Sequence, residues 1–165
     1  MKSLIAFLAV LLSVSMVSAA PAPKGPKWKV YVEPGGFYKI TYPPSWQVLT
    51  KGNALVITSP GGPDERGVFG ITLRAPGSSM EESVEKEFAD PDRSSDLQQS
   101  PARIADTPAI KVWGSKKGDS SIRIVEYYVQ RDDRQYYILF QAPHHAMARY
   151  SQHFNAMIGS LKFLQ

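Results

Sequence analysis

The sequence predicts an α+β domain: an antiparallel β-sheet of about six to seven strands with helices packed on it, in the order β-β-β-α-β-β-β-β-α. Three observations support this class. Short runs of β-branched and aromatic residues alternate with turns rich in Gly, Pro and Asp, as in antiparallel sheets. Two other segments repeat apolar residues every three to four positions, which is typical of helices. The strands also come in runs separated by single helices, which favours antiparallel pairing.

The first predicted strand lies within Tyr31–Val48. Gly35-Gly36 supplies a turn, and Phe37–Tyr42 follows as an aromatic and β-branched run that suits a pleated surface. Pro43-Pro44 lacks two backbone donors, so the strand ends there. Trp46 comes just after this stop, where we expect its ring to close one end of the core.

Two more strands and a helix are predicted next. The strands are Ala54–Thr58 and Val68–Leu73, and the loop between them is rich in Gly and Pro. The helix covers Ser79–Ala89 and ends at Asp90-Pro91. Ser79 and Glu82 have the spacing of a capping box, and the apolar residues recur every four positions at Met80, Val84 and Phe88.

The second half of the sequence predicts four consecutive strands and a closing helix. The strands are Ala102–Ala105, Ala109–Trp113, Ile122–Gln130 and Gln135–Ala142. The helix runs from Ala146 to Leu161 and carries one apolar stripe, formed by Met147, Tyr150, Phe154, Met157, Ile158 and Leu161.

Asp132-Asp133 is short enough to be the turn of a hairpin between the last two strands. With that turn, Tyr128 stands opposite Tyr137 and Val129 opposite Tyr136. Six residues then share one face, which we predict to be the core face: Val125, Tyr127, Val129, Tyr136, Ile138 and Phe140.

The N-terminus has the pattern of a cleaved secretory signal over residues 1–20. Lys2 precedes an apolar run, Leu4–Leu12, and small residues follow at Val17–Ala20. A membrane anchor is the alternative, but the apolar run is shorter than the roughly 20 residues that span a bilayer. No cysteine is present to carry a lipid anchor.

Residues 21–30 are predicted to be a flexible basic Pro-rich arm that precedes one domain over residues 31–165. Pro21–Lys29 has little apolar surface to bury, so we expect it to be mobile. Its Lys24, Lys27 and Lys29 suit an acidic partner, although a solvated tether has the same composition. Trp28 lies in this arm and is expected to contribute little to stability.

The composition restricts the class of protein. An exported domain of about 145 residues without cysteine must be held by its core, with no disulfides or thiolate metal sites. The net charge of +4 falls to +3 without the signal, and no Lys/Arg run is long enough to indicate nucleic-acid binding.

We expect a monomer outside the cytoplasm: in the periplasm, secreted, or in the thylakoid lumen if the organism is photosynthetic. No transmembrane segment is expected in the mature chain.

The glycine-aromatic strand followed by Tyr-Pro-x-x-Trp (Gly36–Trp46) and the closing Ser-Leu-Lys-Phe (Ser160–Phe163) resemble the PsbP family. The resemblance covers roughly Tyr31–Phe163 and implies an α-β-α sandwich. The family contains the extrinsic subunit of photosystem II, and the same sandwich occurs in a yeast nuclear import factor and in bacterial envelope proteins. The resemblance implies a non-enzymatic binding or assembly protein, often beside a membrane. The photosystem subunit is associated with retention of calcium and chloride, but no ion-binding residue can be matched here.

Residues for catalysis or metal binding are few. There is no Gly-x-Ser-x-Gly, and Gly114–Gly118 lacks the Gly-Lys-Ser/Thr ending of a phosphate loop. His145 and His153 are two helical turns apart, too far to bind one metal ion without outside ligands. His144-His145 is predicted to be the exposed start of a helix. We predict no enzyme activity.

Two further candidates have structural alternatives. Asp90–Asp96 places oxygen-bearing residues at alternate positions, like a calcium loop, but Ser95 takes the glycine position and Pro101 the closing glutamate position. Tyr128 and Tyr137 could stack on a ligand, but a helix on that face would make them a packing pair. We therefore predict no catalytic, cofactor-binding or metal-binding residues and no cofactor.

Two function classes remain. The first is an exported PsbP-like binding or assembly module that acts on a protein or a membrane-associated complex. The second is a small-molecule or calcium-like ion-binding protein that uses a cleft beside the sheet. An enzyme ranks third, because no nucleophile–base pair or metal constellation can be assembled from these residues.

The signal peptide should be cleaved after Ala19 or Ala20, because only there do small residues occupy both recognition positions. Intact-mass measurement of the exported protein checks this. A mature protein that retains Met1 to Ala19 would contradict the prediction.

Overall fold

The chain folds into two β-sheets and two α-helices. The structure, a computed structural model, describes residues 27–74, 77, 79–90 and 96–164. The predicted signal peptide and most of the predicted arm lie outside these ranges. The strands are β1 (Lys29–Val32), β2 (Tyr38–Tyr42), β3 (Gln47–Lys51), β4 (Ala54–Thr58), β5 (Val68–Arg74), β6 (Gln98–Ile104), β7 (Thr107–Lys116), β8 (Asp119–Arg131), β9 (Arg134–Pro143) and β10 (Lys162–Phe163). The helices are α1 (Met80–Ala89) and α2 (Met147–Ser160).

The large sheet is antiparallel and has seven strands in the order β3-β4-β5-β9-β8-β7-β6. This confirms the predicted α+β class. The predicted hairpin is present: β8 and β9 are joined through Asp132-Asp133, and Tyr128 pairs with Tyr137. Asp132 has a φ of +52°, in the left-handed region that two-residue hairpin turns use.

The main core lies on one face of this sheet, beneath α2. The predicted core face is confirmed, since Val129, Tyr136, Ile138 and Phe140 are at most 2% exposed and Val125 and Tyr127 pack against them. The apolar stripe of α2 faces the same core. Phe154 stacks on Phe140 with ring centroids 4.4 Å apart.

Helix α1 packs on the opposite face, so the sheet is sandwiched between helices. The predicted capping box is present: the Ser79 hydroxyl accepts from the Glu82 amide, and the Glu82 carboxylate accepts from the Ser79 amide. Val84 is buried against Val112 and Tyr128. Phe88 is 41% exposed, so the predicted apolar stripe of α1 does not reach its last turn.

A separate three-stranded sheet, β1-β2-β10, was not predicted. The predicted first strand corresponds to β2, which belongs to this small sheet rather than to the large one. Tyr38 and Ile40 of β2 face the main core and are at most 1% exposed. Together with α2, the small sheet therefore covers the core face of the large sheet.

No helix in the described ranges is long and apolar enough to cross a bilayer.

The predicted boundary of the arm needs correction. Lys29 and Val30, which composition assigned to the arm, are the first residues of β1, because they pair with Tyr42 and Thr41 of β2. Trp28 packs on the core, with its ring stacked 6.2 Å from the ring of His153. The ordered domain thus includes Trp28. Its contact partner lies more than a hundred residues away in sequence, so the composition of the N-terminal segment could not predict the contact.

Trp46 closes one end of the core, as predicted. Its side chain is 6% exposed and stands edge-on to Tyr150, with ring centroids 5.8 Å apart. His153 also packs against Trp46, with ring centroids 5.7 Å apart, so the imidazole contacts both Trp46 and Trp28.

Trp46→Ala should lower the free energy of unfolding by about 3–5 kcal/mol, because a large buried aromatic leaves a cavity. Trp28→Ala should cost an intermediate amount, about 0.5–1.5 kcal/mol, because its ring is only partly buried and stacks on His153. Urea unfolding of both variants measures the difference. Equal losses for the two tryptophans would contradict this ranking.

Candidate interaction surface

The three histidines are not brought together. His144 and His145 are exposed in a 3-10 turn before α2. His153 lies between the two tryptophans, and its Nδ1 is buried without a hydrogen-bond partner among the described residues. In the described ranges, no group of three or more His, Asp or Glu side chains is arranged to hold a metal ion.

The calcium-like loop falls mostly on residues 91–95, outside the described residues. Its two ends are described, and both carboxylates contact the hairpin formed by β7 and β8. Asp90 pairs with Lys117 Nζ at 2.5 Å. Asp96 accepts from the Ser115 amide at 2.9 Å and from its hydroxyl at 3.0 Å, and pairs with Arg123. These contacts attach the end at Asp96 to β7 and β8, and the end at Asp90 to the turn between them.

Tyr128 and Tyr137 pack beneath α1 rather than forming an exposed platform. Tyr128 is fully buried, and the two ring centroids are 5.3 Å apart. Both hydroxyls donate to the Glu126 carboxylate, Tyr137 at 2.7 Å and Tyr128 at 3.3 Å. Glu126 itself is only 2% exposed. The pair therefore helps to keep a carboxylate hydrogen-bonded within the sandwich.

An open cleft of about 410 Å³ begins next to this carboxylate. The C-terminal half of α1 and the strands β7 to β9 form it, and its polar lining residues include Glu87, Asp90, Lys116, Lys117, Glu126 and Gln141. Charges of both signs line it, which suits a small polar ligand better than an apolar one.

The second notable feature is the side of the molecule where β1 and β3 form the edges of the two sheets. Large apolar side chains are exposed at only six positions in the described residues, and four of them lie on these two strands: Val30, Val32, Val48 and Leu49. The two strands lie on the same side, because Tyr31 and Glu33 line one small cleft together with Thr50 and Asn53. We call this side the edge surface; it comprises β1, β3 and the neighbouring Lys39. Exposed apolar residues that are concentrated on neighbouring edge strands commonly mark an interaction site.

The backbone of β1 has an unpaired edge. Glu33 donates its amide to the Tyr38 carbonyl at 3.0 Å, so the hydrogen-bonded pairs with β2 fall on alternate residues, at Glu33, Tyr31 and Lys29. The N–H and C=O groups of Val30 and Val32 therefore point away from β2. Within the described part of the chain, no hydrogen bond to these groups is formed.

Lysines give the edge surface its charge. Lys29 and Lys51 are exposed, and Lys39 stands beside Val32 on the outer face of the small sheet. No ion pair joins these three lysines to a carboxylate in the ranges that the structure describes. Glu33 is the nearby acid, and its carboxylate accepts from the Phe37 amide at 3.3 Å.

The tyrosines beneath the edge surface add no negative charge at neutral pH. Burial raises the pKa of Tyr31 above its usual value, and the nearby Glu33 raises it further. Burial also raises the pKa of Tyr38, with smaller contributions from Tyr31, Glu33 and Tyr136. Both hydroxyls therefore stay protonated, and the charge of the edge surface comes mainly from its lysines.

Comparison with known proteins establishes the fold. No protein-family model and no curated protein matches the sequence. Among solved structures, cyanobacterial PsbP (CyanoP) of a Synechocystis species superposes with a TM-score of 0.60 at 10% identity, over 89% of this chain and 98% of that one. The chain thus has a PsbP-like fold, as its motifs indicated.

Two further structures share this fold. LpqN of Mycobacterium tuberculosis, described as involved in cell envelope biogenesis, matches with a TM-score of 0.57 at 11% identity, over 84% of this chain and 91% of that one. A Bacteroides thetaiotaomicron protein matches with a TM-score of 0.59 at 16% identity, over 83% of this chain. This chain spans only 48% of the Bacteroides protein. At such identities the likeness concerns the fold alone.

The edge surface was missed at the sequence level, although signals for it exist. Val30-Tyr31-Val32 alternates β-branched and aromatic residues, as a strand does. Gly52-Asn53 separates β3 from β4 as a two-residue turn, and Gly52 has a φ of +57°. What the sequence could not show is that both strands end as edges, since that depends on sheet order.

The edge assignment predicts different effects of proline at neighbouring positions of β1. Val32→Pro should be no more than about 1 kcal/mol less stable than Val32→Ala, because it removes an N–H that points away from β2. Tyr31→Pro should be about 3 kcal/mol less stable than Tyr31→Ala, because it removes a bond of the ladder. Urea unfolding of the four variants tests this, and each alanine variant controls for the lost side chain. Equal proline penalties would mean that β1 is not an edge.

Proposed function

We propose that this protein is an exported, non-enzymatic binding or assembly module that acts on a protein or a membrane-associated complex through its edge surface. The observation that carries the proposal is that one side of the molecule combines exposed apolar side chains with a strand edge and lysines that have no partner among the described residues. Each of these features favours association, and together they define a site with a charge preference.

Two further observations support the proposal. The N-terminal residues have the pattern of a secretory signal, and this favours a location outside the cytoplasm. The fold is shared with CyanoP and with LpqN, a protein involved in cell envelope biogenesis. An assembly role beside a membrane agrees with both.

The basic residues that precede Trp28 in the sequence add to the positive charge available to a partner. Residues 21–27 directly precede Trp28 and carry Lys24 and Lys27. Trp28 packs on the core and Lys29 begins β1, so these basic residues are joined in sequence to the edge surface. Their charge would strengthen the attraction to an acidic partner.

A second candidate function is the binding of a small polar ligand or ion in the cleft beside Glu126. The buried carboxylate with its two tyrosine hydroxyls and the mixed charges of the lining favour it. Glu126→Gln would separate the two functions, because it changes the cleft and leaves the edge surface intact.

The charge of the edge surface can be tested by partner capture. A variant with Lys29, Lys39 and Lys51 all changed to Gln should fold normally and recover much less partner from the native envelope than the unchanged protein. The unchanged protein should itself lose partner as salt is raised, because exposed charge pairs are screened. Affinity purification with quantitative mass spectrometry measures both effects. The matched control changes Lys86, Lys111 and Arg103 to Gln, which removes the same charge away from both the edge surface and the cleft.

Deletion of residues 21–27 should produce a weaker effect in the same direction, and it spares Trp28. Undiminished capture by the triple edge variant would contradict the proposal. Substrate turnover that is lost on changing a single His, Asp or Ser would also contradict it.

A further inference from the structure

We propose that β1 binds its partner by strand addition: an extended acidic segment of a protein pairs with the free edge at Val30 and Val32. This inference rests on the proposed function and names the chemistry of its partner. An edge strand recognises a peptide through backbone hydrogen bonds, while side chains on alternate positions supply selectivity.

The two valines provide both parts of such a site. Their N–H and C=O groups point away from β2, and their side chains lie on the outer face of the small sheet, 60% and 53% exposed. An added strand would bond to these groups and place apolar side chains beside Val30 and Val32. The exposed apolar surface of the two valines would then be buried, and the release of water from this surface favours binding.

The lysines determine the charge of the added segment. Lys29 stands next to Val30 in β1, so the residue opposite it in an added strand is best acidic. On the other side of β1, Lys39 pairs with Val32 and with Lys162 of β10, which forms a row of two lysines beside a valine. A segment that is acidic opposite Lys29 and apolar opposite Val30 and Val32 is therefore complementary to this edge. Glu33, whose carboxylate accepts from the Phe37 amide, marks the end of the part of β1 that suits an acidic partner.

Two other occupants fit less well. A second copy of the chain would bring together two surfaces on each of which Lys29, Lys39 and Lys51 outnumber the nearby acid Glu33, and this excess of like charge opposes association. An anionic lipid surface would attract the lysines, but lipid headgroups do not supply the regularly spaced donors and acceptors that a strand edge requires. The observations therefore favour an acidic peptide segment.

Amide hydrogen exchange of the full mature chain, read residue by residue by NMR, tests the inference. The probe is a short synthetic peptide of alternating aspartate and valine, added to about 1 mM so that weak binding is detected. Exchange at the Val30 and Val32 amides should slow about tenfold, while the Tyr31 amide, already bonded to β2, should change little. Val32→Pro should abolish the effect at Val30, and Lys29→Gln should weaken it.

Three control probes make the result specific. A lysine–valine peptide should give no protection, and neither should an aspartate–valine peptide N-methylated along its bonding edge. The third control is vesicles of phosphatidylglycerol and phosphatidylcholine, to which Val32→Pro and the unchanged protein should bind equally weakly.

Several outcomes would overturn strand addition. One is the absence of protection at Val30 and Val32 with the acidic peptide, and another is equal protection by the lysine peptide. Protection without any peptide, together with a doubled mass in light scattering, would identify a second copy as the occupant. Strong vesicle binding that Val32→Pro leaves unchanged would identify a lipid surface. If the edge fails these tests while the triple lysine variant still loses its partner, strand addition is wrong and the proposed function stands.

Discussion

The pairing of β8 with β9 is the constraint on which the rest of the structure depends. These two strands run through the middle of the seven-stranded sheet, and a two-residue turn keeps them in register over ten pairs. Because side chains alternate between the two faces of a sheet, that register determines which side chains face each layer of the sandwich. One face presents Val129 and Tyr136 to the main core, and the other presents Tyr128 and Tyr137 to α1. A slip by one residue would exchange the two faces.

The central strands of the large sheet are covered on the core face, but the strands farther from this hairpin are less covered. The proposed binding surface lies at these uncovered strands. Helix α2 and the small sheet cover the central strands, whereas every residue of β3 at one edge stays exposed. Strand β1 is the corresponding edge of the small sheet, on the same side of the molecule. Short length and flanking lysines are common protections of such edges against aggregation. The same lysines leave the edge accessible to a partner of opposite charge.

The fold alone assigns no activity, since CyanoP and LpqN share it at only 10% and 11% identity to this chain. Function depends on particular groups. Glu126 is buried and accepts hydrogen bonds from two tyrosines. It therefore has a structural role in the sandwich as well as a place in the lining of the cleft. Val30 and Val32 have no such structural role on their outer face, and this difference favours the edge surface as the binding site.

The sequence by itself determined the elements whose signals are local. The capping box at Ser79, the Asp132-Asp133 turn and the apolar stripe of α2 each depend on neighbours in the chain, and all were predicted. Only the tertiary structure decided which strands became edges and which residues joined the core. Trp28 is part of the domain because α2 places His153 beneath it, and β2 lies in a second sheet because β10 returns to pair with it. Both contacts join residues far apart in the chain, and no local pattern of residues encodes such a contact.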